Sequence, residues 1–465
     1  MGRGILLSLC ALGAALAWTA AASAKAVPTE ETLTMSDGVQ LACTYWQPLG
    51  LGPAKAPAVM LFHGLGGKRH DMDAFADRLG AAGYASLACD ARGHGQSGGL
   101  FGLDGPRDVQ DTRELFTWLG SQAAVNGSEI GALGISLGGG AVWDAAAAGV
   151  PFKAIVPVIT WTNLAQALAP QGLAKSGLVL YLSQLVPPAR FDPTLLAVLP
   201  TLLGGGDLGT FAAIAASRSA GPALPRIGTP TLLIQGRHDF LFDIDQAAAA
   251  YRSLAGPKRF YIGDLGHPPA PNPAAEMPYY FSQAKLWLDR FLKNERNGID
   301  AQPRVLLADD PWTGAVKSYR TLPPTRRVTI VLPGTSRIAQ GGKVARSVRL
   351  RTRPETFGSA TVSFKASTRT SWSHVVAVLS AGRTVISAGG TMTALTAAPK
   401  EVRIRLLSEA VRIPKGARLT LTLAATSTAQ SSGNLLYAKE VDAGSTLTIG
   451  QVTLSLPVLT RPISG

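Results

Sequence analysis

The sequence predicts an α/β domain built on a mostly parallel sheet, followed by an all-β domain. Three observations predict it. Continuous apolar runs alternate with helical periods between residues 31 and 297. That alternation lapses once, over residues 160–229. From residue 300 onward helical periods vanish and short polar-apolar alternations replace them.

Leu33 to Trp46 reads as a hairpin turned at Ser36-Asp37-Gly38. Ala58 to Phe62 is a continuous apolar strand. Asp71 to Ala82 is helical, with Met72, Phe75 and Leu79 on one face. Ala85 to Cys89 is the next strand, and Asp108 to Gln122 the next helix, with Val109, Thr112, Phe116 and Leu119 at spacings of three and four. Ile130 to Leu133 is a short strand and Ala141 to Ala148 a good helix former. Ala154 to Ile159, Thr231 to Ile234 and Phe260 to Ile262 are further strands, and Tyr280 to Leu292 closes the unit as an amphipathic helix. Unbroken apolar strands between helices imply a sheet covered on both faces.

The stretch 160–229 is apolar and helix-prone at Leu178 to Leu182, Thr194 to Leu203 and Thr210 to Ala216. It interrupts the strand order where a helical cap over a site would sit. Beyond residue 300, eight or so alternating runs, from Val328-Leu332 to Val452-Leu456, argue for a sandwich or jelly roll.

Residues 1–24 read as a signal peptide: Arg3, then an apolar stretch from Ile5 to Ala17, then Ala22-Ser23-Ala24 as a cleavage site. The expectation is an exported protein, secreted, periplasmic or in the cell envelope, with the mature chain starting near Lys25; retention of the stretch as an anchor is the alternative. Cys43 and Cys89 then face an oxidising compartment, either as a disulfide or as two buried thiols. The formal net charge of +14 is uneven: residues 301–465 hold 22 Lys/Arg against 7 Asp/Glu. Such a β-domain suits weak association with an anionic envelope surface, or is a solvated surface. No basic motif of the sequence suggests nucleic acid.

Gly134-Ile135-Ser136-Leu137-Gly138 fits G-x-S-x-G between an apolar strand and a helix, the turn that presents a serine hydroxyl. Acyl transfer needs a base, an acid that orients it, and N–H donors for the oxyanion. Asp239 follows the strand Thr231 to Ile234, and His267 the strand Phe260 to Ile262. Ser136, Asp239 and His267 are therefore the expected nucleophile, acid and base, with Asp243 and Asp264 as competitors for the acid. The N–H of Leu137 and that of Leu65, in the loop His63-Gly64-Leu65-Gly66-Gly67, are the expected oxyanion donors. His63 is expected to brace its loop, His238 to be structural and His374 to lie on the surface. Asp90 and Arg92 are expected to pair with each other. Neither a metal nor an organic cofactor is called for.

These elements resemble the α/β-hydrolase superfamily over residues 31–297. The added β-domain, with Asp108-Val109-Gln110-Asp111-Thr112, Trp118-Leu119 and Arg412 to Leu419, resembles one branch: the Xaa-Pro dipeptidyl-peptidase-like and cocaine-esterase-like hydrolases. The resemblance implies an α/β-hydrolase sheet (31–297) with a helical cap (160–229) and a C-terminal jelly roll (300–465). In that branch the nucleophile is usually followed by Tyr, and a Tyr hydroxyl helps hold the oxyanion; here Leu137 and a Tyr-free loop stand instead. The expected activity is thus a serine hydrolase acting on an ester, or an amide, of a hydrophobic small molecule or peptide. An Xaa-Pro dipeptidyl peptidase and a non-catalytic envelope-binding protein are the alternatives.

Overall fold

The computed structural model of the chain describes residues 26–49 and 54–460. The expected signal peptide lies outside the described residues.

Ten strands form one mixed sheet among the described residues. They are β1 (Ala26–Thr34), β2 (Gln40–Pro48), β3 (Ala56–Phe62), β4 (Ala85–Cys89), β5 (Val125–Ile135), β6 (Ile155–Val158), β7 (Thr231–Gly236), β8 (Lys258–Gly263), β9 (Val305–Ala308) and β10 (Val316–Tyr319). Their order is β1-β2-β4-β3-β5-β6-β7-β8-β9-β10. The run from β4 through β9 is parallel, and β1, β2 and β10 add antiparallel.

Helices cover both faces, as the apolar strands require. On one face α2 (Pro106–Ser121), α3 (Leu137–Ala147) and a further helix, Ile244–Ser253, bury Leu115, Leu119, Trp143 and Tyr251 against the sheet. On the other face α1 (Asp73–Ala81) and the helix Met277–Leu292 bury Phe75, Leu79, Phe281 and Trp287. Cys43 of β2 stands directly opposite Cys89 of β4, and the two form a disulfide.

The cap consists of α4 (Leu164–Leu168), α5 (Ser176–Ser183), α6 (Pro193–Gly204) and α7 (Gly209–Ala216). The helix Ile244–Ser253 is α8 and Met277–Leu292 is α9. Cap residues Val179, Leu195, Val198, Leu202 and Phe211 bury one another together with Phe101 and Leu137 of the sheet domain.

The β-domain is a sandwich of two antiparallel sheets. One is ordered β11 (Thr325–Leu332), β19 (Thr446–Leu459), β14 (Gly358–Ser367), β17 (Lys400–Glu409), with β12 (Ser336–Ala339) also on β19. The other is β13 (Lys343–Arg349), β18 (Arg418–Ala424), β15 (His374–Ala381), β16 (Thr384–Met392).

Three local expectations need correction. The boundary at residue 300 falls too early, because β9 and β10 complete the first sheet; Val305 to Ala308 is apolar but only four residues long, too few to show a period. The runs 446–449 and 452–456 are one strand, bulged where its register on β14 shifts between Phe364 and Ala366. His374 is fully buried, hydrogen-bonded between Ser373 Oγ and the Lys439 carbonyl.

Candidate active site

The site is assembled where β5, β7 and β8 end. Ser136 takes φ 56°, ψ −116°, a conformation that costs a non-glycine residue energy and that surrounding structure must enforce. The flanking glycines permit it. A Cβ on Gly134 would collide with the Gly138 carbonyl, and one on Gly138 with the Phe62 carbonyl. The turn thus packs backbone to backbone against the end of β3, and α3 starts at Leu137.

Ser136 Oγ lies 2.8 Å from His267 Nε2, and His267 Nδ1 lies 2.9 Å from Asp239 Oδ2. An ionised carboxylate only accepts, so Nδ1 carries the proton and Nε2 is left to accept from the serine hydroxyl. Asp239 is completely buried. Its Oδ1 accepts the N–H groups of Leu241 (3.0 Å) and Phe242 (2.9 Å), and its Oδ2 also accepts that of His267 (3.0 Å). The Phe242 ring meets the imidazole edge-on at 5.2 Å between centroids, fixing its plane.

The loop after β3 backs onto the nucleophile: a Cβ on Gly64 would stand 3.6 Å from that of Ser136. Leu65 is the next residue along. His63 braces this loop, its Nε2 accepting the Ala91 N–H at 2.9 Å and its Nδ1 2.7 Å from the Gly64 carbonyl. Burial pushes the His63 pKa down, which suits the neutral ring that this pairing needs.

The competitors for the acid role face elsewhere. Asp243 precedes α8 and accepts the Ser408 N–H (2.9 Å), while Asp264 accepts the Trp312 N–H (2.9 Å). His238 stands 3.4 Å from Asp310. Burial acts to raise the Asp310 pKa, but the His238 hydrogen bond and charge outweigh it and bring it down to about 2. Asp90 and Arg92 do not pair with each other: Asp90 takes Arg69 (2.7 Å), and Arg92 takes Asp111 (2.7 Å) and Asp37 (2.9 Å). The turn after β4 points the two side chains to different neighbours.

Several residues at the site escaped the sequence reading. Asn272 clasps the backbone of Gly266 from both sides at 2.9 Å, just before His267. Arg237, 0% exposed, ties the acid loop to the β-domain through the Ala410 carbonyl (2.8 Å) and Glu355 (2.8 Å). Lys175 of the cap reaches the same loop from another side. An apolar cavity under the cap is lined by Leu65, Leu182, Phe191, Leu199, Phe211 and Ile214, among others.

Residues 37–189 match the family model described as X-Pro dipeptidyl-peptidase (S15 family). The span includes Ser136 and stops short of Asp239 and His267. A curated relative, the uncharacterized 31.7 kDa protein in the traX-finO intergenic region of Escherichia coli, is 34% identical over 131 residues, 28% of this chain. The chain spans 44% of that relative's length. Among solved structures, a CocE/NonD family hydrolase from Staphylococcus aureus superposes with TM-score 0.72 at 16% identity, covering 93% of this chain and 94% of its own. An α-amino acid ester hydrolase gives TM-score 0.67 at 15% identity (95% and 98% covered). An aminopeptidase from a marine sediment Thaumarchaeota archaeon gives 0.64 at 14% (94% and 97%). These structural likenesses extend over sheet, cap and β-domain, and show the fold. The expected resemblance to the Xaa-Pro dipeptidyl-peptidase-like and cocaine-esterase-like branch holds.

Proposed function

We propose that the chain is a serine hydrolase that cleaves esters carrying an apolar group. One observation carries the reading: the unbroken hydrogen-bond chain from buried Asp239 through His267 to Ser136. In the proposed reaction Ser136 Oγ attacks the ester carbonyl while His267 Nε2 takes its proton. Asp239 holds the imidazolium, and the N–H groups of Leu65 and Leu137 hold the oxyanion. Collapse of the tetrahedral intermediate breaks the C–O bond to the alcohol, which leaves with the proton from His267. Water, activated by the same imidazole, then hydrolyses the acyl-enzyme. The apolar cavity beside Leu65 takes the hydrophobic part of the substrate.

A fluorophosphonate probe should label the wild type and not Ser136→Ala. A folded wild type that stays unlabelled would sink the enzyme reading and favour a non-catalytic envelope-binding protein. The family match over residues 37–189 supports a second reading, a dipeptidyl peptidase acting after proline. The two separate on substrates: a p-nitrophenyl short-chain ester should turn over faster than a Gly-Pro or Ala-Pro anilide, and the reverse order would establish the peptidase.

We further propose export, on the strength of residues 1–24 and of a disulfide that persists in oxidising compartments. N-terminal sequencing of the protein from the cell envelope should begin near Lys25; an intact Met1 in the cytoplasmic fraction contradicts it. Weak binding of the basic β-domain to an anionic envelope surface is tested by sedimentation with anionic vesicles at low and high salt, where no salt-sensitive binding refutes it.

A further inference from the structure

We propose that Lys175, carried by the cap, is a positioning residue for Asp239. The inference rests on the triad reading above. Lys175 is 1% exposed, and its Nζ donates to the carbonyls of Phe240 (2.7 Å) and Leu241 (2.8 Å). Those carbonyls belong to the turn whose Leu241 and Phe242 N–H groups grip Asp239 Oδ1. The turn therefore offers its N–H groups to the carboxylate and its carbonyls to the ammonium. Fixing one set of peptide planes fixes the other.

The segment that carries Lys175 is itself tied to the β-domain. The adjacent Ser176 Oγ accepts the N–H groups of Ala438 and Lys439 of the β-domain, both at 3.0 Å. Cap, acid loop and β-domain thus meet at one buried charge.

A buried ammonium is costly unless opposite charge faces it. Asp239 and Asp243 of the acid loop and Glu409 from the end of β17 do so, and Asp243 is influenced in turn by Asp245 and Arg405. Burial pushes the Lys175 pKa down to about 8, against the opposing pull of these carboxyl groups. Burial, helped by the Asp245 charge, brings Asp243 up to about 6. Burial also drives the Glu409 pKa well above its usual range. The Lys175 ammonium thus has the acid of the triad among the carboxyl groups that face it.

Lys175→Met keeps the aliphatic stem and removes the charge. It should lower kcat by about 10- to 100-fold with KM little changed, as expected when a catalytic group is misplaced while the grip on substrate is kept. Without the cation the imidazolium is less disfavoured, so the acid limb of kcat/KM should move to higher pH by about half a unit or more. Asp243→Asn removes a negative charge from the same cluster and should move that limb to lower pH. Opposite shifts identify the charge as the agent. Wild-type kcat in Lys175→Met, or limbs that stay put or move together, overturn the proposal. Should Lys175→Met fail to fold, Asp243→Asn decides alone: a shift to lower pH supports the role and an unmoved limb refutes it. Fluorophosphonate labelling of the wild type runs alongside; its absence overturns the triad reading itself, whereas labelled wild type with unmoved limbs overturns only the role of Lys175.

Discussion

Ser136, Asp239 and His267 were legible because each sits in a local pattern that chemistry constrains: a glycine-flanked turn, then a polar residue just past an apolar strand. Their hydrogen-bond partners were not. Asp239 depends on Lys175, and its loop on Arg237, side chains whose role arises only once the cap and β-domain have docked. Asp239→Asn keeps the shape of the acid but lets it donate to Nδ1, which favours the wrong imidazole tautomer; kcat should fall by about 10³- to 10⁴-fold in ester turnover, with the circular dichroism spectrum unchanged. Burial also shapes stability at single residues. It brings both Asp108 and Glu276 up to about 7, with the Asp111 charge adding to the effect at Asp108. The folded chain then holds more protons than the unfolded chain between about pH 4 and pH 7. The stabilisation from these two groups is complete below their unfolded pKa values and is lost as pH rises through 7. The thermal midpoint should be lower at pH 8 than at pH 5.5, and Asp108→Asn should flatten that slope.

At the scale of elements, the strands and helices that flank the nucleophile followed from hydrophobic period alone. What failed was short or irregular. β9 and β10 are four residues each, too few for a period, and the bulge in β19 breaks its alternation into two shorter runs. The cap helices were expected from their apolar, helix-prone runs, but their packing was not, because α6 and α7 carry apolar residues on several faces and the sequence does not say which one turns inward. The structure turns Leu199 of α6 and Ile214 of α7 toward the apolar cavity. Filling it with Leu199→Trp should cut kcat/KM for a long-chain p-nitrophenyl ester by about 10-fold or more relative to the acetate, since a pocket discriminates by the volume it can hold. Equal losses on both esters would mean that the cavity does not receive the acyl chain.

At the scale of the whole molecule, the β-domain is part of the scaffold of the site. Leu173 of the cap and Phe240 of the acid loop pack with Val376, Leu407 and Tyr437 in one apolar seam. Arg237 also reaches Ala410 and Glu355, and the Ala410 N–H returns to the Arg237 carbonyl at 3.0 Å. Arg237→Met leaves Glu355 in a half-dehydrated place with Lys317 and Arg412 as its remaining cations, and should cost about 3–5 kcal/mol in urea unfolding, the range for breaking a buried pair on one side. A loss below about 1 kcal/mol would show that the remaining cations suffice. The place where β9 and β10 join the first sheet has a practical consequence. A fragment cut at residue 297 would strip β8 of its outer neighbour and expose a row of unpaired peptide groups, an invitation to self-association. Any attempt to express the N-terminal portion by itself, or to graft a different C-terminal domain onto it, has to carry the chain through Tyr319 to keep that flank closed.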